Sequence, residues 1–295
     1  MKVIVFVKQI KYVYAQTGID PKQNFIGPDD IVHIMNPLDE LALEETLRVK
    51  EKHRDTEIVV ISLGDGFAED GLRKCLSMGA DRAIHIYDQD YGKLDAWMTA
   101  MVLAHSIRNQ EFKLIFCGRR AIDDNGGLVG PYIAEILRIP HVSRVVKLEI
   151  DGGRSKVLVH RAVERGNREV VECTVPALFT IEKGINIPRY PTLPGILRAQ
   201  KQVIQRVEIR DLGLPLKSFG PALNLTETIS LSNPKPKKRT GALADGKLSA
   251  FDRLRLVMGG GDTETKGEST LVEGNTDNVL SEIERVLREN GILSE

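Results

Sequence analysis

Short apolar runs and longer amphipathic stretches alternate along the first half of the chain. Val3 to Val7 is an unbroken β-branched and aromatic run, the pattern of a central strand covered by helices on both faces. Similar runs follow at Ile58 to Ser62, Ala83 to Tyr87 and Leu114 to Cys117. Between them the apolar positions take helical spacing. Leu43 and Leu47, with Ala42 and Val49 beside them, line one side of a helix that begins after Asn36-Pro37, where proline suits the first turn. Phe67 to Met78 and Leu94 to Ile107 read as two more helices. Val129, Ile133, Ile136 and Leu137 fall at i, i+4, i+7 and i+8 on a fourth. Strands and helices alternating at this spacing predict an α/β fold: a Rossmann-like, mostly parallel sheet with helices on both faces and right-handed crossovers.

Beyond Pro140 the pattern becomes strand-like. Val142 to Ile150, Lys156 to Val163 and Glu169 to Thr174, with Asp151-Gly152-Gly153 as a turn, predict an antiparallel ribbon added to the sheet. Ala177 to Ile181 reads as one further strand, after which Pro188, Pro191 and Pro194 interrupt regular structure. From Asp211 the chain reads as a linker, with Pro215, Pro221, Pro234 and Pro236 around Lys237-Lys238-Arg239, a solvated run of charge. The end is amphipathic again. Val279, Leu280, Ile283, Val286 and Leu287 make one stripe, which Thr276 is placed to cap and Gly291 to end. The expected organisation is an α/β domain over residues 1–210, then a linker and extended C-terminal arm over 211–295 ending in a helix that docks on a partner subunit.

Composition narrows the partners. Lys plus Arg and Asp plus Glu number 41 each, which removes the usual electrostatic ground for binding nucleic acid or an anionic membrane. Cys75, Cys117 and Cys173 are far apart and show no C-x-x-C pair, so they read as core thiols of a reducing compartment rather than as a disulfide framework or a metal site. The six histidines show no metal-ligand spacing. No apolar stretch reaches spanning length, and the opening MKVIVFVKQI lacks the basic region and small-residue cleavage site of a signal peptide. The expectation is a cytoplasmic protein without membrane insertion.

The chemistry concentrates after one strand. Cys117 to Pro131 leaves the Leu114 to Cys117 run and opens a helix, and it contains Gly118, Gly126, Gly127 and Gly130. In a parallel sheet, ligands bind outside the carboxyl ends of the strands, and glycines there let backbone N–H groups approach a phosphate at a helix N-terminus. Lys8 and Gln9 follow the first strand and Ser62 to Gly66 another, so three strand ends present small, polar or basic groups to one crevice. The G-x-G-x-x-G fingerprint of nicotinamide cofactors is missing, as is G-x-S-x-G or any paired nucleophile and base. Asp123 and Asp124, adjacent in the loop, suit nucleotide hydroxyls or turn geometry better than acid/base work. These are the signals of a binder, not of an enzyme with catalytic residues of its own.

Val7-Lys8-Gln9-Ile10, Met35-Asn36-Pro37-Leu38-Asp39-Glu40, Met78-Gly79-Ala80-Asp81-Arg82-Ala83, the Gly118 to Pro131 loop, Val175-Pro176-Ala177 and Pro188-Arg189-Tyr190-Pro191-Thr192-Leu193-Pro194 occur in one order along the chain. In this combination the sequence resembles the beta subunits of electron transfer flavoproteins. The resemblance implies a heterodimer with an alpha subunit, an FAD shared with that subunit, and a second adenine nucleotide on the chain itself. That nucleotide is AMP in one branch of the family and FAD in the electron-bifurcating branch. The ending Val129-Gly130-Pro131 and the long tail resemble the bifurcating or nitrogen-fixation-linked type, so FAD is favoured over AMP. The implied nucleotide contacts are Val7, Lys8, Asn36, Asp39, Gly64, Gly118, Asp123, Asn125, Gly126, Gly127, Leu128, Val129 and Gly130. Tyr12 and Tyr14 straddle the position of a flavin-facing tyrosine. The loop Ile187 to Ala199 is implied in partner recognition with Leu193 as its anchor. Electrons would pass from an acyl-CoA-type or other dehydrogenase to a quinone reductase or ferredoxin-type acceptor. The competing reading is a stand-alone adenine-nucleotide-binding module of the stress-protein or ATP-pyrophosphatase type. That reading calls for a glycine-rich pyrophosphate loop after the first strand, where this chain has Lys8-Gln9-Ile10.

Overall fold

A computed structural model of the chain describes residues 1–13, 31–214, 223–227, 229, 276, 279–281 and 284–285. Internal contacts divide the chain into a unit Met1–Ser232 and a unit Asn233–Glu295. In the second unit Thr276, Val279, Leu280, Ser281, Glu284 and Arg285 have helical backbone, with Leu280 exposed. The rest of the apolar stripe, Gly291, the Lys237 to Arg239 cluster, the linker prolines and Tyr14 lie outside the described residues.

The first unit is built on a nine-stranded sheet. Its strands are β1 (Lys2–Phe6), β4 (Glu57–Gly64), β5 (Arg82–Tyr87), β6 (Leu114–Gly118), β7 (His141–Ile150), β8 (Lys156–Ala162), β9 (Arg168–Thr174), β10 (Ala177–Ile181) and β11 (Ile204–Glu208). Their spatial order is β11-β5-β4-β1-β6-β10-β7-β8-β9. The seven strands from β11 to β7 run parallel, and β8 and β9 add antiparallel. The continuous apolar runs are the inner strands because both of their faces are covered. Val3 to Val5, Ile58 to Ile61 and Leu114 to Phe116 are fully buried or nearly so.

Helices α1 (Pro37–Lys52) and α2 (Ala68–Met78) pack on one face, joined by Ala199 of α5 (Leu193–Lys201), and their apolar sides meet Val3, Val5, Ile58, Val60, Phe116 and Phe179. Helices α3 (Ala96–Ile107) and α4 (Val129–Leu137) cover the other face over Ile4, Phe6, Val59, Ile61, Ile115 and Leu178. Asp95 caps α3 through Met98 N at 2.9 Å, and its other oxygen accepts from Leu225 N and Thr226 N, which ties residues 223–227 to this unit. The three cysteines are buried and free. Among the described residues no helix is long and apolar enough to cross a membrane, and no cluster of His, Cys, Asp and Glu is placed to hold a metal ion.

The parallel sheet and its four long helices follow the sequence pattern, and other features refine it or depart from it. β2 (Gln9–Val13) and β3 (Ile31–Met35) form a separate two-stranded antiparallel ribbon between β1 and α1. The antiparallel ribbon read from Val142 to Thr174 is present as β7-β8-β9, and β7 joins it to the sheet by pairing parallel with β10. Ala177–Ile181, read as one further strand, is that strand and lies in the interior of the sheet between β6 and β7, all five of its residues buried. The proline-bearing stretch Ile187 to Ala199, expected as a loop throughout, becomes helix at Leu193. Pro194 falls in its first turn, where a missing N–H costs nothing, and Thr192 Oγ1 caps it by accepting from Gly195 N at 3.2 Å.

Candidate functional site

From β1 the chain moves to β4 and β5 on one side, while β6 lies against β1 on the other, so the strand order reverses between β1 and β6. The crevice at their carboxyl ends is the switch point at which open α/β sheets bind ligands. Two chain segments border it. Val7 N–H donates to Ile61 O at 3.0 Å, and Asn36 N–H donates to Lys8 O at 2.9 Å, which fixes the segment after β1. The segment after β6 is held by Arg119 N–H on Ile181 O and by Arg119 Nη1 on Glu182 Oε2, at 2.9 and 2.6 Å.

Asp39, in the first turn of α1, joins the two. Its Oδ2 accepts from Lys8 N–H at 2.9 Å and its Oδ1 from Gly118 N–H at 2.7 Å. Burial pushes its carboxyl up to about 6, against the opposing pull of those two amides, of Asn36 and of the Lys8 charge. Gly118 has no room for a side chain, because a Cβ would stand 2.5 Å from Asp39 Oδ1 and 2.7 Å from Leu38 Cβ. Asn36 Nδ2 donates to Arg120 O at 3.0 Å, a further tie between α1 and the β6 loop, while its buried Oδ1 has no partner.

Across the mouth, Lys8 Nζ lies 2.9 Å from Asp123 Oδ2 and 3.1 Å from Asp124 Oδ2. Partial burial alone would lower the Lys8 ammonium, but the hydrogen bond and charge of Asp123, then those of Asp124, outweigh it and hold the group above the ordinary lysine value. The loop then turns tightly. Asn125 N–H donates to Ala121 O at 2.9 Å, Gly126 N–H donates to Asp124 Oδ1 at 3.0 Å, and Asn125 and Gly127 both take positive φ, 57° and 66°. Leu128 precedes α4 and offers no side-chain cap. The first N–H groups of a helix have no intrahelical acceptor and carry its positive dipole end.

The residues expected at the site thus divide in two. Val7, Asn36, Asp39, Gly64 and Gly130 are buried, and Gly130 faces Thr180 and Cys117 so closely that a Cβ would meet Thr180 Cγ2 at 2.6 Å. Lys8, Gly118, Asp123, Asn125, Gly126, Gly127, Leu128 and Val129 reach the surface. The buried set shapes the crevice and the second set borders it. Leu193 stands apart from both, at the start of α5. Ser62, which the sequence already places at the crevice as the polar end of a strand, has a buried Oγ with no partner. Sequence reading missed two contributors: Glu182, and His85, whose Nε2 lies 3.1 Å from Gly64 O. Both lie far along the chain and carry no local signal.

The segment before α5 is anchored separately. Arg189 pairs with Glu44 through Nε and Nη2 at 2.8 and 2.9 Å and with Glu51 at 2.7 Å, while Asn186 Nδ2 donates to Leu41 O and Glu45 Oε2 at 3.0 Å. Burial opposes ionisation of Glu44, but Arg189 prevails and holds its carboxyl below the ordinary glutamate range. With its backbone held on α1, this segment leaves Tyr190 93% and Leu193 69% exposed, and Ile187 and Leu197 are exposed beside them in sequence.

A mostly parallel sheet with a polar, glycine-lined crevice at its switch point places the chain among Rossmann-like α/β ligand-binding domains. The model of the electron transfer flavoprotein domain matches residues 28–212, and the chain belongs to that family. It is 36% identical to the electron transfer flavoprotein subunit beta of Thermoanaerobacterium thermosaccharolyticum over 86% of this chain and 98% of that one. It is 40% identical to the corresponding subunit of Bacillus subtilis over 75% and 84% of the two chains. It is also 35% identical to CarD, a subunit of the caffeyl-CoA reductase–Etf complex of Acetobacterium woodii, over 83% and 92%. The chain is an electron carrier of the beta-subunit type.

Proposed function

We propose that the chain pairs with an electron transfer flavoprotein alpha subunit, forms one wall of the site for a shared FAD, and holds a second adenine nucleotide in the β1–β6 crevice. The observation that carries the second site is the start of α4: an uncapped helix N-terminus, preceded by Gly126 and by Gly127 at positive φ, opening at the switch point of the sheet. These residues fit a phosphate group. The start of a helix favours an incoming anion, and the Lys8 ammonium offsets part of the negative charge of Asp123 and Asp124 beside it. Ile122 and Leu128, exposed on the same loop, suit the apolar rings of a nucleotide. FAD, when bound, supplies the electron-transfer chemistry, and the protein supplies orientation and electrostatics.

FAD is favoured over AMP in the chain's own site because the stretch Gly126 to Val129, where Gly126 N–H is already given to Asp124 Oδ1, offers its remaining backbone to a diphosphate at the helix N-terminus. The electron donor is an acyl-CoA-type or other dehydrogenase, the former in keeping with CarD's place in a caffeyl-CoA reductase complex, and the acceptor is a quinone reductase or ferredoxin-type protein. The Val129-Gly130-Pro131 ending, which resembles that of the bifurcating type, supports a bifurcating complex. The family match weighs against a stand-alone nucleotide-binding module.

The test is to co-express the chain with its alpha subunit, release nucleotides by heat and identify them by mass. The expectation is two FAD per heterodimer. One FAD and one AMP decides for the AMP-binding branch, and no nucleotide beyond the shared FAD removes the crevice as a site. A pair of substitutions isolates the phosphate contact. Asn and Asp both tolerate positive φ, so the difference between Gly127→Asp and Gly127→Asn reports charge. Gly127→Asp should bind about tenfold more weakly, ~1.4 kcal/mol for a like charge near a phosphate. Equal binding by the two variants places the phosphate elsewhere.

A further inference from the structure

We infer that Asp39 is a positioning residue: its carboxylate, wedged between the ends of β1 and β6, sets the spacing of the Lys8 and Gly118 amides and thereby the mouth of the crevice. This rests on the nucleotide site proposed above and changes the role of one of its residues, since Asp39 then holds the site open without touching the ligand. An acidic residue in the first turn of a helix ordinarily complements the helix dipole from the solvent side. Its neighbour Glu40 does so, pairing with Lys74 at the surface. Asp39 turns the other way. It is 5% exposed, and each oxygen is engaged by a backbone amide from a different strand end, Lys8 N–H at 2.9 Å and Gly118 N–H at 2.7 Å. These amides come from residues 31 and 79 positions away. The absence of a side chain at Gly118 admits the carboxylate, because a Cβ there would overlap Oδ1.

The surroundings make this brace sensitive to a proton. The titratable groups facing Asp39 are Lys8 beyond β1, Cys75 on α2 and Cys117 on β6. Burial, reinforced by the Asp39 charge, holds both thiols far above the ordinary range, so they stay neutral. Asp39 itself is pushed up to about 6 by burial. Above that pH the carboxylate accepts from both amides. Below it, one oxygen becomes a hydroxyl donor and the carboxyl serves a single amide well.

The test uses the full chain and reads the brace without any ligand. In the wild type, the Lys8 and Gly118 amide-proton resonances should move together with one midpoint near pH 6, and in Asp39→Asn neither should show that step. Binding is then measured by equilibrium dialysis with FAD, whose pyrophosphate diester lacks the titrating phosphate proton near pH ~6 of a monoester. Wild-type affinity should fall about tenfold from about pH 8 to about pH 5, the worth of one strong hydrogen bond. Asp39→Asn should bind about tenfold more weakly at the higher pH and vary little below it. Amides that titrate separately or not at all overturn the proposal, as does an Asp39→Asn chain that binds FAD like the wild type at the higher pH. If the variant does not fold, the wild-type amide titration decides alone. A wild type that binds no nucleotide while its two amides still titrate together keeps the brace and removes the nucleotide reading.

Discussion

A buried carboxylate that serves two amides works against the stability of the fold that contains it. The Asp39 carboxyl is raised from 3.8 to about 6, so the folded chain takes up this proton at a pH where the unfolded chain does not. Its contribution to stability is therefore fully present below about 3.8 and is lost as pH rises through about 6. The pH dependence of the stability difference between wild type and Asp39→Asn comes from this titration. Moving from about pH 7 to about pH 5 should shift their difference in unfolding free energy by about 1 kcal/mol in favour of the wild type. Urea unfolding of both proteins at the two pH values measures it. A difference that stays constant means that Asp39 titrates as an ordinary carboxylate, and one that moves toward the variant means that its carboxyl is held below the ordinary range. Sequence alone marks this residue through the family resemblance but does not disclose its role as a brace. Asp39 sits beside Glu40 at a helix start, where two acids read as dipole complements, and its partners are at positions 8 and 118. The loop from Gly118 to Gly130 is legible because glycine, Asx residues and a helix start cluster within one short window.

Elements with strong periodicity were legible and those with mixed faces were not. β1, β4, β5 and β6 are continuous apolar runs because both faces are covered, and α1 to α4 show their buried sides at helical spacing. The β2–β3 ribbon has no such run, since Ile31–Met35 is partly exposed along most of its length. β11 is an edge strand with polar residues between Ile204 and Val207. α5 was hidden by its prolines, although Pro194 falls where a helix tolerates one. Its emergence changes the argument for Leu193, which stands on the first turn of a helix rather than on a loop, with Leu197 one turn on along the same face. Arg189 and Asn186 fix the approach to that helix on α1, so an apolar side chain there loses little conformational entropy on entering a partner's pocket. Leu193→Ala should slow electron transfer from the dehydrogenase by about tenfold, ~1.4 kcal/mol. Because Leu193 is 69% exposed, flavin content and melting temperature should barely change. Stopped-flow reduction and a thermal melt separate the outcomes: lower stability with intact partner kinetics assigns recognition to another surface.

The molecule as a whole is arranged for assembly. Its formal net charge is zero, so it has little long-range self-repulsion to keep isolated copies apart. Ile187, Tyr190, Leu193 and Val203 are strongly exposed in and after the segment held on α1, more apolar surface than one short stretch of a solitary protein usually shows water. In the proposed heterodimer, the crevice lies within this chain, but the shared FAD meets only one wall here and needs the alpha subunit for the rest. A site with one wall buries little of a flavin, and the affinity lost with the missing contacts is large. The chain expressed alone should therefore carry substoichiometric flavin, short of the two expected per heterodimer, and tend to associate, whereas co-expression with the alpha subunit should give a monodisperse heterodimer with full yellow colour. The ratio of visible to ultraviolet absorbance, with light scattering on the eluted peak, measures both properties in one run. The same chromatogram tests the assignment from the opposite side: an isolated chain that elutes as a single monomer with tightly held, stoichiometric flavin at the shared site has a complete site of its own, and the subunit reading then fails.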